Sequence, residues 1–172
     1  MDGTELREGY ADVGDVSLHY VEVGEGPLIV LLHGFPEFWF GWRLQIKPLA
    51  DAGFRVVAPD MRGYNLSSRP ADVKAYDSDH LTADIRALVQ ERGAESAFLV
   101  GHDWGGSVAW ATAMSNPEIV DRIAILNAAH PRKLSQGLHR PGQLRKSWYF
   151  FFFDLPKLPE GVVHANNWHF FR

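Results

Sequence analysis

The chain contains no cysteine. Disulfides, thiolate nucleophiles and cysteine-bound metals are therefore excluded. It also lacks long apolar runs. The longest aliphatic stretch, Leu28 to Leu32, falls far short of the roughly 20 residues that cross a bilayer. The opening residues, Met1-Asp2-Gly3-Thr4-Glu5, have neither the basic nor the apolar segment of a secretory signal. No long basic run is present and the net charge is -4, which argues against nucleic acid as a partner. Internal repeats and low-complexity linkers are missing as well. These absences lead to the expectation of a cytoplasmic protein that engages neither membrane nor nucleic acid. What is present is material for a core: 172 residues, 46% hydrophobic and 13% aromatic, enough for a folded domain.

Along the chain, short apolar runs alternate with helical patterns. Tyr10 to Val13 and Val16 to Val21 read as two strands joined across Gly14-Asp15, a two-residue hairpin turn. In the second, Val16, Leu18 and Tyr20 alternate with Ser17, His19 and Val21, which predicts a half-buried strand. Pro27 to Leu32 is continuously apolar and predicts a strand buried on both faces. Trp42, Ile46, Leu49 and Ala50 share a helical face, with Gly53 placed to end it. Arg55 to Asp60 is the next strand. Leu81, Ile85, Leu88 and Val89 mark a helix that starts at Asp77-Ser78-Asp79 and stops at Gly93. Ala97 to Val100 and Val120 to Asn127 are further strands. The alternation implies an α/β fold, a mostly parallel sheet with helices on both faces. Ligands bind beyond the C-terminal ends of such strands. The loops from His33 and Asp60, the segment 101–106 and the residues after Asn127 are therefore the candidates for one pocket.

The stretch Gly101-His102-Asp103-Trp104-Gly105-Gly106 lies between the Ala97–Val100 strand and a small-residue helix from Ser107 to Ala113. Gly-x-Asp-x-Gly has the form of the Gly-x-Ser-x-Gly nucleophile elbow, with a carboxylate in place of serine. There a sharp strand-to-helix turn exposes the nucleophile, and the flanking glycines remove clashes. Aspartate has a reference pKa near 4, so it needs no base before it attacks. It can displace a leaving group at saturated carbon and form an ester. An epoxide or a carbon–halogen bond suits that attack. The competing reading is that Asp103 is simply a helix N-cap, a position aspartate favours.

Three segments together resemble the epoxide hydrolase family of the α/β-hydrolase superfamily. They are His33-Gly34-Phe35-Pro36-Glu37-Phe38-Trp39, similar to its His-Gly-x-Pro loop; Arg62-Gly63-Tyr64-Asn65-Leu66-Ser67, similar to its Gly-x-small-x-Ser motif; and the elbow itself. The resemblance implies an α/β-hydrolase fold in which Asp103 is the nucleophile and the backbone N–H groups of Phe35 and Trp104 form the oxyanion hole. Pro36 would fix the loop, and Phe35, Pro36, Trp104 and Tyr149 would line the substrate site. His33 would be structural. Asn65 stands where the family often has glycine, a mild departure because asparagine tolerates left-handed backbone. Phe153-Asp154-Leu155-Pro156 resembles the segment that follows a lid tyrosine, which assigns Tyr149 as hydrogen-bond donor to the epoxide oxygen. Asp154 stands where glutamine is expected.

The resemblance further implies residues 1–129 as the N-terminal part of the core domain. Residues 130–172 would begin a helical cap, after a basic, irregular stretch running to Lys146. The family's acidic triad member, its histidine and its second lid tyrosine cannot be assigned. His130, His139, His164 and His169 follow the nucleophile, but all arrive within or before the cap. The chain is therefore expected to be a fragment with its C-terminal half absent, not competent for turnover itself. No cofactor and no metal are expected. The partners are a small hydrophobic epoxide and water, and for the full-length form the resemblance admits a homodimer. Two other readings stay open: a haloalkane or haloacid dehalogenase using the same aspartate, with Trp104 as a halide donor, and a non-catalytic ligand-binding relic of the fold. A serine-type esterase is disfavoured because position 103 is not serine.

Overall fold

The computed structural model describes residues 5–153 and 155–168. It opens with a hairpin. In its turn the Val13 N–H donates to the Val16 carbonyl at 3.0 Å. Gly14 and Asp15 thus occupy the central positions, Gly14 with φ +114°. Strand β1 (Arg7–Asp12) pairs antiparallel with β2 (Ser17–Val23). Strand β3 (Leu28–Leu32) is buried along its whole length, as its unbroken apolar run predicts. A short 3-10 turn (Trp39–Trp42) leads into α1 (Arg43–Asp51), after which Gly53 turns at φ +89°. Strand β4 (Arg55–Pro59) follows. Helix α2 (Ser78–Glu91) starts where the Asp77 carboxylate accepts the His80 N–H at 3.0 Å, one capped donor of the four that a helix N-terminus leaves open. Strand β5 (Ala97–His102), helix α3 (Trp104–Ser115) and strand β6 (Val120–Leu126) complete this part.

The six strands form one sheet in the order β1-β2-β4-β3-β5-β6. Strands β4, β3, β5 and β6 run parallel, and β2 joins β4 antiparallel. The half-buried reading of β2 is corrected here. Residues 18–23 are all buried, because β2 lies inside the sheet and alternate residues enter two different cores. Leu18 and Tyr20 pack with Leu81, Ile85 and Leu88 of α2 and Val108 of α3. Val21 and Val23 pack with Trp42 and with Ile46 of α1. The polar members are buried with partners. His19 Nδ1 bonds the Asp60 carboxylate at 2.8 Å, and Glu22 meets Arg7, Arg55 and Arg92.

Arg62 ties the hairpin to α2. Its Nε and Nη2 donate to Asp84, Nη1 and Nη2 to Asp15, and Nη1 to the Ala75 carbonyl. All five guanidinium N–H groups are thereby used, at a side chain only 1% exposed. Burial pushes the Asp84 carboxyl above the ordinary carboxylate range, against the pull of Arg62.

The chain divides into two units, residues 1–129 and residues 130–172. The second contains α4 (Pro131–Leu138), α5 (Pro141–Lys146), α6 (Trp148–Phe153) and α7 (Leu158–Trp168). The stretch to Lys146 is thus helical rather than irregular. Pro131 and Pro141 each open a helix, where a missing N–H and a fixed φ are no handicap. Among the described residues, no helix is long and apolar enough to cross a membrane.

Candidate active site

Asp103 stands between β5 and α3 with φ +50° and ψ -115°. Such a conformation costs a non-glycine residue about 1–3 kcal/mol, and the packing around it leaves no alternative path. A Cβ on Gly101 would come within 2.4 Å of the Gly105 carbonyl oxygen, and one on Gly105 within 2.3 Å of the Leu32 oxygen. Helix α3 therefore begins in near contact with β3 and β5, and the turn between is forced to be sharp. The Asp103 N–H donates to the Leu126 carbonyl at 3.0 Å, which ties the elbow to the end of β6.

The side chain bears on the N-cap reading of this aspartate. Asp103 holds the N-cap position of α3, yet its carboxylate makes no capping hydrogen bond. Instead Oδ1 accepts the backbone N–H of Phe35 at 3.0 Å. The neighbouring Trp104 opens α3, so its N–H belongs to the first-turn group that has no partner inside the helix. Phe35 and Trp104 are about half exposed. The Phe35–Pro36 peptide is cis.

The loop that presents Phe35 is anchored by His33. This side chain is fully buried. Its Nδ1 bonds the Gly34 carbonyl at 2.9 Å, and its Nε2 bonds the Met61 N–H at 3.0 Å. A carbonyl can only accept and an N–H can only donate, so the ring is neutral with its proton on Nδ1. Burial holds its pKa below the ordinary histidine value. His33 is therefore structural, in agreement with the resemblance. Asn65 adopts φ +41°, the left-handed backbone expected of a residue replacing glycine.

Several neighbours of Asp103 were not singled out from the sequence. Tyr64 packs edge-on against His33, with ring centroids 4.7 Å apart. Burial, and then the charge of Asp103, pushes its phenol up to about 12. His102 lies with Nδ1 3.3 Å from the Glu37 carboxylate and Nε2 3.4 Å from the Asn127 amide. Tyr64, Glu37 and His102 lie inside the three motifs, which assigned them no role.

Tyr149 lies on α6 of the second unit, 40% exposed, with its ring edge-on to Phe150 at 4.6 Å. The first unit thus brings together Asp103, Phe35, Pro36 and Trp104, and Tyr149 belongs to the second. His130 caps α4 by accepting the Arg132 N–H, and His139 bonds the Ser135 carbonyl. Asp154 and His169 lie outside the described residues.

The alternating order, the elbow and the donor loop define a known class. A family model described as the alpha/beta hydrolase fold matches residues 27–167, and the chain belongs to that family. Within it the likeness is to the epoxide hydrolases. Epoxide hydrolase 1 of Caenorhabditis elegans is 44% identical over 170 residues, covering 97% of this chain and 41% of the relative. AB hydrolase superfamily protein YfhM of Bacillus subtilis is 45% identical over 172 residues, covering 98% of this chain and 59% of the relative. The crystal structure of Bacillus megaterium epoxide hydrolase in complex with an inhibitor superposes with a TM-score of 0.88 at 36% identity, over 94% of this chain and 56% of that one. The chain spans about half the length of the relatives it matches.

Proposed function

We propose that this chain carries the nucleophilic part of an epoxide hydrolase site, which converts an epoxide to a vicinal diol through an aspartyl ester. The observation that carries this reading is the carboxylate of Asp103. It occupies a capping position at strained backbone, declines to cap, and faces the N–H of Phe35. A structural N-cap has no use for that arrangement, whereas a nucleophile with a preset oxyanion donor requires it.

In the first step one carboxylate oxygen attacks an epoxide carbon. The new C–O ester bond forms as the ring C–O bond breaks, and the ring oxygen leaves as an alkoxide. Tyr149 is proposed to supply the proton, since a phenol is neutral at pH 7 and can donate to a developing alkoxide. The oxygen held by Phe35 becomes the ester carbonyl oxygen. In the second step water adds to that carbonyl carbon, and the Phe35 and Trp104 N–H groups stabilise the oxyanion. Collapse returns the carboxylate and frees the diol, and the proton taken from water restores the Tyr149 phenol. The second step needs a base to take a proton from water. The resemblance assigns none here, so the ester is expected to accumulate on this chain.

The test is intact-protein and peptide mass spectrometry after incubation with styrene oxide. The expected result is a mass gain of one epoxide on the peptide carrying Asp103, abolished in Asp103→Asn. No gain, or a gain that survives the substitution, overturns the reading. Chloride release from a chloroalkane, with no adduct from the epoxide, would assign the same aspartate to a dehalogenase.

A further inference from the structure

We propose that Asp60 is a positioning residue for ester formation: it holds the far end of the loop 33–39 so that the Phe35 N–H meets Asp103. The inference rests on the reading of Asp103 as nucleophile, and deepens it.

Asp60 follows β4 directly and is completely buried. Its Oδ1 accepts the backbone N–H of Trp39 at 3.0 Å. Its Oδ2 accepts from His19 Nδ1 and from Asn65 Nδ2, each at 2.8 Å. Its main chain is fixed too, with the N–H donating to the His19 carbonyl at 2.8 Å and the carbonyl accepting from the Ser67 hydroxyl at 2.6 Å. The next residue, Met61, supplies the N–H that holds His33 Nε2. Two consecutive residues at the end of β4 therefore grip both ends of the loop, Met61 at His33 and Asp60 at Trp39. Between these grips lie a turn closed by the Glu37 N–H on the Gly34 carbonyl at 2.9 Å and the one N–H that reaches the nucleophile.

The chemistry of Asp60 fits that task. Three donors converge on it, and its two carboxylate oxygens can accept all three. Leucine, close to it in shape, offers no acceptor. Leucine at position 60 would thus fill the site while releasing the Trp39 N–H. A buried carboxylate is costly unless it is fully hydrogen-bonded, and this one meets three donors, of which the Trp39 N–H is the one on the loop 33–39. Misplacing a reacting partner by about 1 Å can cost about a hundredfold in rate, which is the lever a loop clamp controls.

The experiment compares wild type, Asp60→Leu and Asn65→Gly in three readouts: the rate of styrene oxide addition at Asp103, the amide proton shift of Phe35, and the urea midpoint. Asp60→Leu is expected to slow addition at least about tenfold and to move the Phe35 amide upfield, toward its position in Asp103→Asn. Asn65→Gly removes a different Asp60 partner and suits the positive φ at that site, so its addition rate should stay within about threefold of wild type. A folded Asp60→Leu that reacts at the wild-type rate overturns the proposal. So does one that slows while the Phe35 amide stays put. If Asp60→Leu does not fold, Trp39→Pro decides in the same readouts, because it deletes the other half of the bond at the first position of a 3-10 turn. If wild type forms no adduct at Asp103, the nucleophile reading fails instead, and the Phe35 shift still reports whether Asp60 sets the loop.

Discussion

Gly34 sits so close to Asp103 that a Cβ built on it would stand 2.8 Å from the Asp103 Cβ and 3.1 Å from Oδ1. The glycine is what allows the donor loop to lie against the elbow. Gly34→Ala must push the loop away and lengthen the bond from Phe35 to Asp103. We expect adduct formation with styrene oxide to fall about 10²-fold, with the denaturation midpoint lowered far less than the rate. A rate equal to wild type would mean that the loop position does not matter.

The Arg62–Asp84 pair should dominate the stability of this half of the sheet. Arg62→Ala leaves Asp84 buried without its cation, a class of change that costs about 3–5 kcal/mol. Urea unfolding followed by circular dichroism measures it. The double replacement Arg62→Met with Asp84→Leu removes the stranded charge and is expected to recover much of that loss.

His33 gives stability a defined pH dependence. Its folded pKa is held below the usual histidine value of 6.5 by burial. The unfolded chain therefore binds the proton first, and the contribution of His33 is complete above about 6.5 and fades as pH falls toward the lower folded value. Unfolding free energies measured between pH 7.5 and pH 5 should decline, and His33→Gln, which cannot titrate, should flatten that decline relative to its own value at neutral pH.

Tyr64 offers a spectroscopic check on its distance from Asp103. With its phenol pushed up to about 12, it should remain protonated at pH values where a solvated tyrosine, near 10, is half ionised. Asp103→Asn removes the negative charge that contributes to the shift and should lower the Tyr64 value. Carbon-labelled tyrosine resonances, assigned with Tyr64→Phe, follow both. A Tyr64 that titrates like a solvated tyrosine would contradict its burial beside Asp103.

Much of this arrangement could be read from local patterns. The runs at Leu28–Leu32 and Ala97–Val100 announce buried strands, and Gly53 and Gly93 mark helix ends that the backbone confirms at φ +89° and +72°. The elbow was visible because its glycines are fixed by covalent geometry close in sequence. What stayed hidden depends on which strands become neighbours. His19 alternates like a surface residue, yet pairing of β2 with β4 buries it against Asp60, 41 positions away. The clamp on Trp39 is equally illegible, since a backbone N–H leaves no trace in the sequence. The aromatic run at 148–153, read as part of a helical cap, is helical in the structure.

The elbow restricts its neighbours far more than its own tip. Added atoms at 101 and 105 would collide with backbone, while the side chain at 103 points away from the helix it begins. The strain of φ +50° falls on any chiral residue placed there. A single codon change could therefore exchange the reactive group without rebuilding its support. A serine or a cysteine would present its hydroxyl or thiol one atom further back toward the same loop, and the chemistry at position 103 becomes a variable that can be altered independently of the architecture.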